Sequence, residues 1–148
     1  MNANNKKLIN LLDEMLPPSK FKGVNVLVVD DESFNLTAFK GLFRQHANVF
    51  IASNKNEALE VVINNKIDVV FCDYMLPEFK GSEILFEITK LYPLIKKYIV
   101  TGYTEPKIIK DIKNILGECE VIYKPYSFED IRMRILGVNN NDLNRLIQ

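Results

Sequence analysis

The chain has 148 residues, 47% hydrophobic and 26% charged, with Lys+Arg and Asp+Glu both at 19. These are the values of one globular domain with a sizeable core, and they exclude a disordered chain. Balanced charge excludes a strongly basic surface for a nucleic-acid backbone, the apolar runs are too short to span a bilayer, and the first residues read as no signal peptide. The expectation is a cytoplasmic protein with no direct nucleic-acid contact and no membrane insertion.

Residues 1–22 form a segment of their own. Leu8, Leu11, Leu12, Met15 and Leu16 make an apolar stripe at helical spacing, and Pro17-Pro18 stops it. Such a helix must bury its stripe. Packing on the rest of the chain and self-association or attachment to a partner weigh equally.

From residue 24 short apolar runs alternate with amphipathic stretches. A strand over 24–30 carries Val24-Asn25-Val26-Leu27-Val28-Val29 and ends in Asp30-Asp31-Glu32. A helix over 34–46 follows, with Leu36, Phe39, Leu42 and Phe43 on one face. A strand over 48–52 leads to a helix over 54–65, where Asn54 caps, Glu57 stands three residues on, and Ala58, Val61 and Val62 face inward. The strand over 67–72 ends in Asp73, and a helix covers 82–92. The strand over 96–101 ends in Thr101-Gly102 and leads to a helix over 105–115. The strand over 119–123 ends in Lys124-Pro125, and a helix over 127–137 is capped by Ser127. Residues 138–148, rich in Asn, read as a short tail with Leu143, Leu146 and Ile147. Cys72 and Cys119 fall in apolar runs and read as buried reduced thiols, while the lone His46 reads as structural, at a helix end. Five βα units predict an α/β domain over 23–137: a five-stranded parallel, doubly wound sheet flanked by five helices.

The strand ends carry the chemistry. In open α/β sheets ligands bind outside the carboxyl ends of the strands. Two strands here deliver carboxylates to that edge, Asp30 and Asp31 from one and Asp73 from the other. Clustered like charges repel unless a cation neutralises them, which points to metal and phosphate chemistry. Gly102 eases close backbone approach beside the Thr101 hydroxyl. Lys124, between an aromatic and a proline, aims an ammonium at the same anionic mouth.

Taken together, these residues resemble the receiver domain of two-component response regulators. Val28-Val29-Asp30-Asp31-Glu32 is similar to the family's acidic pair. Asp73-Tyr74-Met75-Leu76-Pro77-Glu78-Phe79-Lys80-Gly81 is similar to its phosphoacceptor segment, and Thr101-Gly102 and Lys124-Pro125 to its last two motifs. The resemblance covers about residues 22–137 and implies a flavodoxin-like strand order of 2-1-3-4-5. It implies that Asp73 accepts a phosphoryl group from a phosphohistidine of a sensor histidine kinase or phosphotransfer protein. It implies a Mg2+ ion held by Asp31, Asp73 and the backbone carbonyl of Met75, with Asp30 acting mainly through bound water. Thr101 would hydrogen-bond a phosphoryl oxygen and Lys124 would pair with another. The outcome is a switched signalling module that acts through protein contacts with a downstream target and assists its own phosphorylation without being an enzyme. It would stand alone or belong to a hybrid histidine kinase.

The sequence departs from the family at Val121, where many receivers place a switching aromatic three residues before the lysine. Tyr123 and Tyr126 are not at the matching offset. Met75 and Tyr103 stand at the two positions that the family places over the water approach to the acyl phosphate, and both are bulky. Slow self-dephosphorylation is the expectation. Two other readings carry less weight. An aspartyl-phosphate-type phosphatase wants a second acid two residues after the nucleophile, where Met75 stands. A phosphorylation-independent binding module would not need Asp31, Asp73, Thr101 and Lys124 intact.

Overall fold

The computed structural model describes residues 3–15 and 23–137. The expected stop at Pro17-Pro18 and the tail over 138–148 lie outside the described residues, as do the side chains of Leu8, Met15 and Leu16. In chain order the elements are α1 (Ala3–Met15), β1 (Asn25–Val29), α2 (Ser33–Phe43), β2 (Asn48–Ala52), α3 (Lys55–Asn64), β3 (Val69–Asp73), α4 (Gly81–Leu91), β4 (Lys96–Thr101), α5 (Pro106–Leu116), β5 (Glu120–Tyr123) and α6 (Phe128–Leu136).

The five strands are all parallel and lie in the order β2-β1-β3-β4-β5, as expected. The strands alternate between two cores, because successive side chains point to opposite faces. Leu27, Val29, Val70, Cys72 and Ile99 face one side, under α3, α4 and α5, with Ala58, Val62, Ile84, Leu85, Ile88 and Ile112 packed on them. Val26, Val28, Val69, Phe71, Val100 and Ile122 face the other, under α2 and α6, with Leu36, Phe39, Phe43, Ile131 and Ile135. Burial on both faces is why these strands read as continuous apolar runs.

The register aligns the carboxyl ends. Val29 stands beside Ala52 and Cys72, Asp73 beside Val100, and Thr101 beside Tyr123. Hydrogen bonds extend three of these pairings one step past the strands: Asp30 N–H donates to Ala52 O at 3.1 Å, Tyr74 N–H to Val100 O at 3.1 Å, and Lys124 N–H to Thr101 O at 2.9 Å.

Two helices start at capping side chains. Asn54 accepts from Glu57 N–H, and Ser127 forms a reciprocal capping box with Asp130. The helix expected over 34–46 ends at Phe43, and His46 lies in the turn beyond it. There His46 sits edge-on to Phe128, whose ring stacks on Phe43 with centroids 4.8 Å apart. Cys72 is buried as expected, but Cys119 is only half-buried and lies just ahead of β5. A parallel strand at the sheet edge is covered less completely than a central one.

The N-terminal helix α1 packs on the domain. Leu12 is 2% exposed. Arg132 of α6, 4% exposed, donates to Asp13 Oδ1 at 2.8 Å and pairs with Glu129 through its other terminal nitrogen. A buried guanidinium needs paired acceptors, and α1 supplies one of them. With α1, the described residues hold six helices.

Candidate functional site

Carboxylate oxygens of Asp30, Asp31 and Asp73 lie within 4.8 Å of one another at the carboxyl edge of the sheet. The chain order of β1 and β3, adjacent in the sheet, makes this cluster. Asp30 is buried and both its oxygens already accept protein donors: Oδ1 takes Glu32 N–H at 2.9 Å and Oδ2 takes the Asn35 amide at 3.1 Å. Asp31 is exposed. Asp73 Oδ1 accepts Met75 N–H at 3.3 Å, and Oδ2 accepts Lys124 Nζ at 3.0 Å. The same ammonium stands 3.6 Å from Asp30 Oδ2.

The electrostatics follow from burial and like charge. Burial pushes the Asp73 carboxyl above the usual carboxylate range, Asp30 adds to the rise, and the hydrogen bond from Lys124 only partly offsets them. Burial also works against the Lys124 ammonium, but its hydrogen bond to Asp73 and the charges of Asp73 and Asp30 outweigh that and hold it above the ordinary lysine value. One ammonium against three carboxylates leaves the mouth negative.

That donor set fits a hard dication. It offers only oxygens, one carboxylate is open to solvent, and the buried Asp30 already accepts two protein donors. Magnesium prefers oxygen ligands, keeps several waters and takes one or two carboxylates from the protein. Met75 follows Asp73 by two residues, with its N–H turned to the Asp73 carboxylate. Thr101 is fully buried, and its Oγ1 accepts Tyr103 N–H at 3.1 Å, which leaves the hydroxyl proton available.

One expectation changes. Gly102 is not a forced close approach: a Cβ there meets only Lys124 Cβ, at 4.0 Å, an ordinary contact. The glycine that matters is Gly81, where a Cβ would collide with the backbone carbonyl of Asp73. Its N–H donates to Tyr74 O at 2.9 Å, so the segment after Asp73 folds back onto its own start. Val121 lies in β5, half-buried against the core, so β5 offers no ring at that position. Tyr123 is 45% exposed. The Lys124–Pro125 bond is cis.

Four residues at or beside the site escaped the sequence reading. Asn35, one helical turn past the acidic pair, could have been found as an amide within reach of Asp30. Tyr74, Ser82 and Asp111 form a partly buried polar cluster, and the 37-residue separation of Tyr74 from Asp111 leaves no local pattern. Met75 and Tyr103 are 49% and 47% exposed and share the lining of an open depression of about 500 Å³ beside the site.

The family model for the response regulator receiver domain matches residues 26–136. Sporulation initiation phosphotransferase F of Bacillus subtilis is 30% identical over 108 residues, 72% of this chain and 86% of that protein. The hydrogenase transcriptional regulatory protein HoxA of Cupriavidus necator is 30% identical over 105 residues, 71% of this chain but 22% of that protein, so the chain spans under a quarter of that longer relative. Among solved structures, a response regulator receiver domain protein from Clostridium thermocellum is 34% identical with a TM-score of 0.68, covering 84% of this chain and 99% of that one. A chemotaxis-regulator-like receiver domain protein from Methanospirillum hungatei is 28% identical with a TM-score of 0.69, covering 82% and 94%.

Proposed function

The chain belongs to the response regulator receiver domain family, and from that membership we propose that it is a phosphorylation-switched signalling receiver with Asp73 as phosphoacceptor. The observation that carries this reading is the arrangement of Asp73, 3.0 Å from Lys124 and clustered with Asp30 and Asp31 at the sheet edge. In this reading the receiver is residues 23–137, after an N-terminal amphipathic helix or linker over 1–22 and before a short tail over 138–148.

In the transfer, an Asp73 carboxylate oxygen forms a bond to phosphorus while the bond from phosphorus to the donor's histidine nitrogen breaks. The nitrogen keeps that electron pair, and the product is an acyl phosphate. Magnesium, when bound by Asp31, Asp73 and the Met75 carbonyl, neutralises charge on the transferring group and orients it. Lys124 exchanges its hydrogen bond with Asp73 for one to a phosphoryl oxygen. Thr101 donates its hydroxyl proton to another while still accepting Tyr103 N–H, so the loop after β4 is tied to the phosphoryl group. Asp30 stays fixed by Glu32, Asn35 and Lys124 and would act on the metal through water.

The phosphodonor is a histidine kinase or a phosphotransfer protein, and the output is a protein contact, as a stand-alone regulator or within a hybrid kinase. No helix among the described residues is long and apolar enough to cross a membrane. The test is direct. With acetyl phosphate and Mg2+, intact mass should rise by one phosphoryl group, and Asp73→Asn should abolish the gain. Undiminished modification of that variant would sink the assignment.

A further inference from the structure

Asp111 of α5 takes no part in the site as described, yet it holds both ends of the segment that follows Asp73. One oxygen, Oδ2, accepts the Tyr74 hydroxyl at 2.8 Å and the Ser82 hydroxyl at 3.0 Å. Lys80 Nζ stands 3.9 Å from the other oxygen. Tyr74 is 3% exposed and Ser82 is fully buried. Buried hydroxyls need acceptors, and one carboxylate oxygen serves both of these.

Tyr74 and Ser82 are the two ends of the loop that carries Met75. The main chain also closes there, through Gly81 N–H to Tyr74 O. The loop is therefore pinched at its base, and both sides of the pinch hang from one carboxylate on the next helix. That helix begins at Pro106, directly after the loop in which Tyr103 N–H meets Thr101. The segments flanking the site on either side thus share one anchor.

We propose that Asp111 is a positioning residue for the phosphorylation site: by accepting Tyr74 and Ser82 together it sets the loop that presents the Met75 carbonyl to the metal. The inference rests on the reading of Asp73 as phosphoacceptor with magnesium. It assigns Asp111 no contact with phosphoryl group or metal. Its acceptor oxygen, not its charge, is the required feature.

The test compares the full chain with Asp111→Leu, Asp111→Asn and the double variant Tyr74→Phe/Ser82→Ala. Mg2+ affinity is measured by calorimetric titration without any phosphodonor, and Tm alongside. Asp111→Leu should weaken Mg2+ binding about tenfold, the scale of lost support behind a metal ligand. Asp111→Asn should stay within about twofold of the parent, because its amide oxygen can take the place of Oδ2 and accept both hydroxyls. The double variant should fall with Asp111→Leu, and it carries the test if that variant does not fold. A lowered Tm with parental Mg2+ affinity in both disrupting variants would mean that Asp111 serves stability alone and overturns the proposal. An Asn variant as weak as the Leu variant overturns it too, since charge would then be the active feature. If the parent itself binds no Mg2+, the reading of the site fails first.

Discussion

Two aspartates bracket β3, and they do opposite things. Asp68 precedes its first residue, and Asp73 is its last. The Asp68 carboxylate accepts Asn25 N–H at 2.8 Å, its own N–H donates to Asn25 O at 2.9 Å, and its carbonyl accepts Lys96 N–H at 3.0 Å. Its carboxylate ties β3 to β1, and its backbone carbonyl ties β3 to β4 at the amino edge. At the carboxyl edge Asp73 meets two more carboxylates and an ammonium, and burial raises its pKa. The contrast teaches that a carboxylate at a strand end becomes a site only where neighbouring strands bring charge to it. Where the neighbours bring backbone amides, the same side chain becomes a structural tie.

Substitutions at the two edges test that contrast most sharply. Asp31→Ala should weaken Mg2+ binding by at least about tenfold and slow phosphorylation, with the fold retained; unchanged metal affinity by titration would remove Asp31 from the site. Asp68→Ala should leave the phosphoryl mass gain untouched while costing about 1–3 kcal/mol of stability, read from denaturant midpoints, because a strand amide loses its charged acceptor. Equal damage to phosphorylation from both variants would erase the distinction between the edges.

The lifetime of the phosphorylated state sharpens the description of the carboxyl edge. Met75 and Tyr103 both flank the same depression, and replacing them together, Met75→Asn with Tyr103→Glu, should speed loss of the phosphoryl group several-fold. A parental decay rate would mean that these side chains do not shield the bond from water.

The N-terminal helix extends the comparison away from both edges. Deleting residues 1–20 should leave phosphorylation at Asp73 nearly unchanged and lower stability by about 2 kcal/mol, since Leu12 loses its burial and Arg132 loses Asp13. Loss of phosphorylation in a deletion variant that still folds would show that α1 serves the site.

The smallest effect is a pH dependence. Burial pushes the Tyr74 hydroxyl well above the ordinary tyrosine value, and the hydrogen bond to Asp111 and its charge add to this. The folded chain then keeps a proton that the unfolded chain gives up above about pH 10. This contribution is complete below about pH 10 and is lost as pH rises toward the folded value. Tyr74→Phe should therefore lose less stability than the parent between about pH 9 and 11, by chemical denaturation. Parallel losses would show that Tyr74 does not hold its proton.

Most of the sheet was legible because its signals are local. Continuous apolar runs of strand length, the caps Asn54 and Ser127, and acids at Asp30, Asp31 and Asp73 can each be read within a few residues. The strand order was legible only through the family resemblance. Boundaries drifted where tertiary contacts intervene: the helix expected to reach residue 46 stops at Phe43, and there a turn brings His46 against Phe128 from the far end of the chain.

The sequence by itself determined which residues would stand at the strand ends, because hydrophobic periodicity fixes where strands begin and stop and the polar residue after each stop is then at the edge. Only the tertiary structure decided what those residues meet. Asp73 and Lys124 are 51 residues apart, Tyr74 and Asp111 are 37, and Asp13 and Arg132 are 119. It also decided that Gly81, and not Gly102, is the glycine required by close packing beside the site. Hydrogen bonds and steric contact fall off within a few ångströms, so their partners are set by how the layers pack, and no pattern of neighbours along the chain encodes that distance.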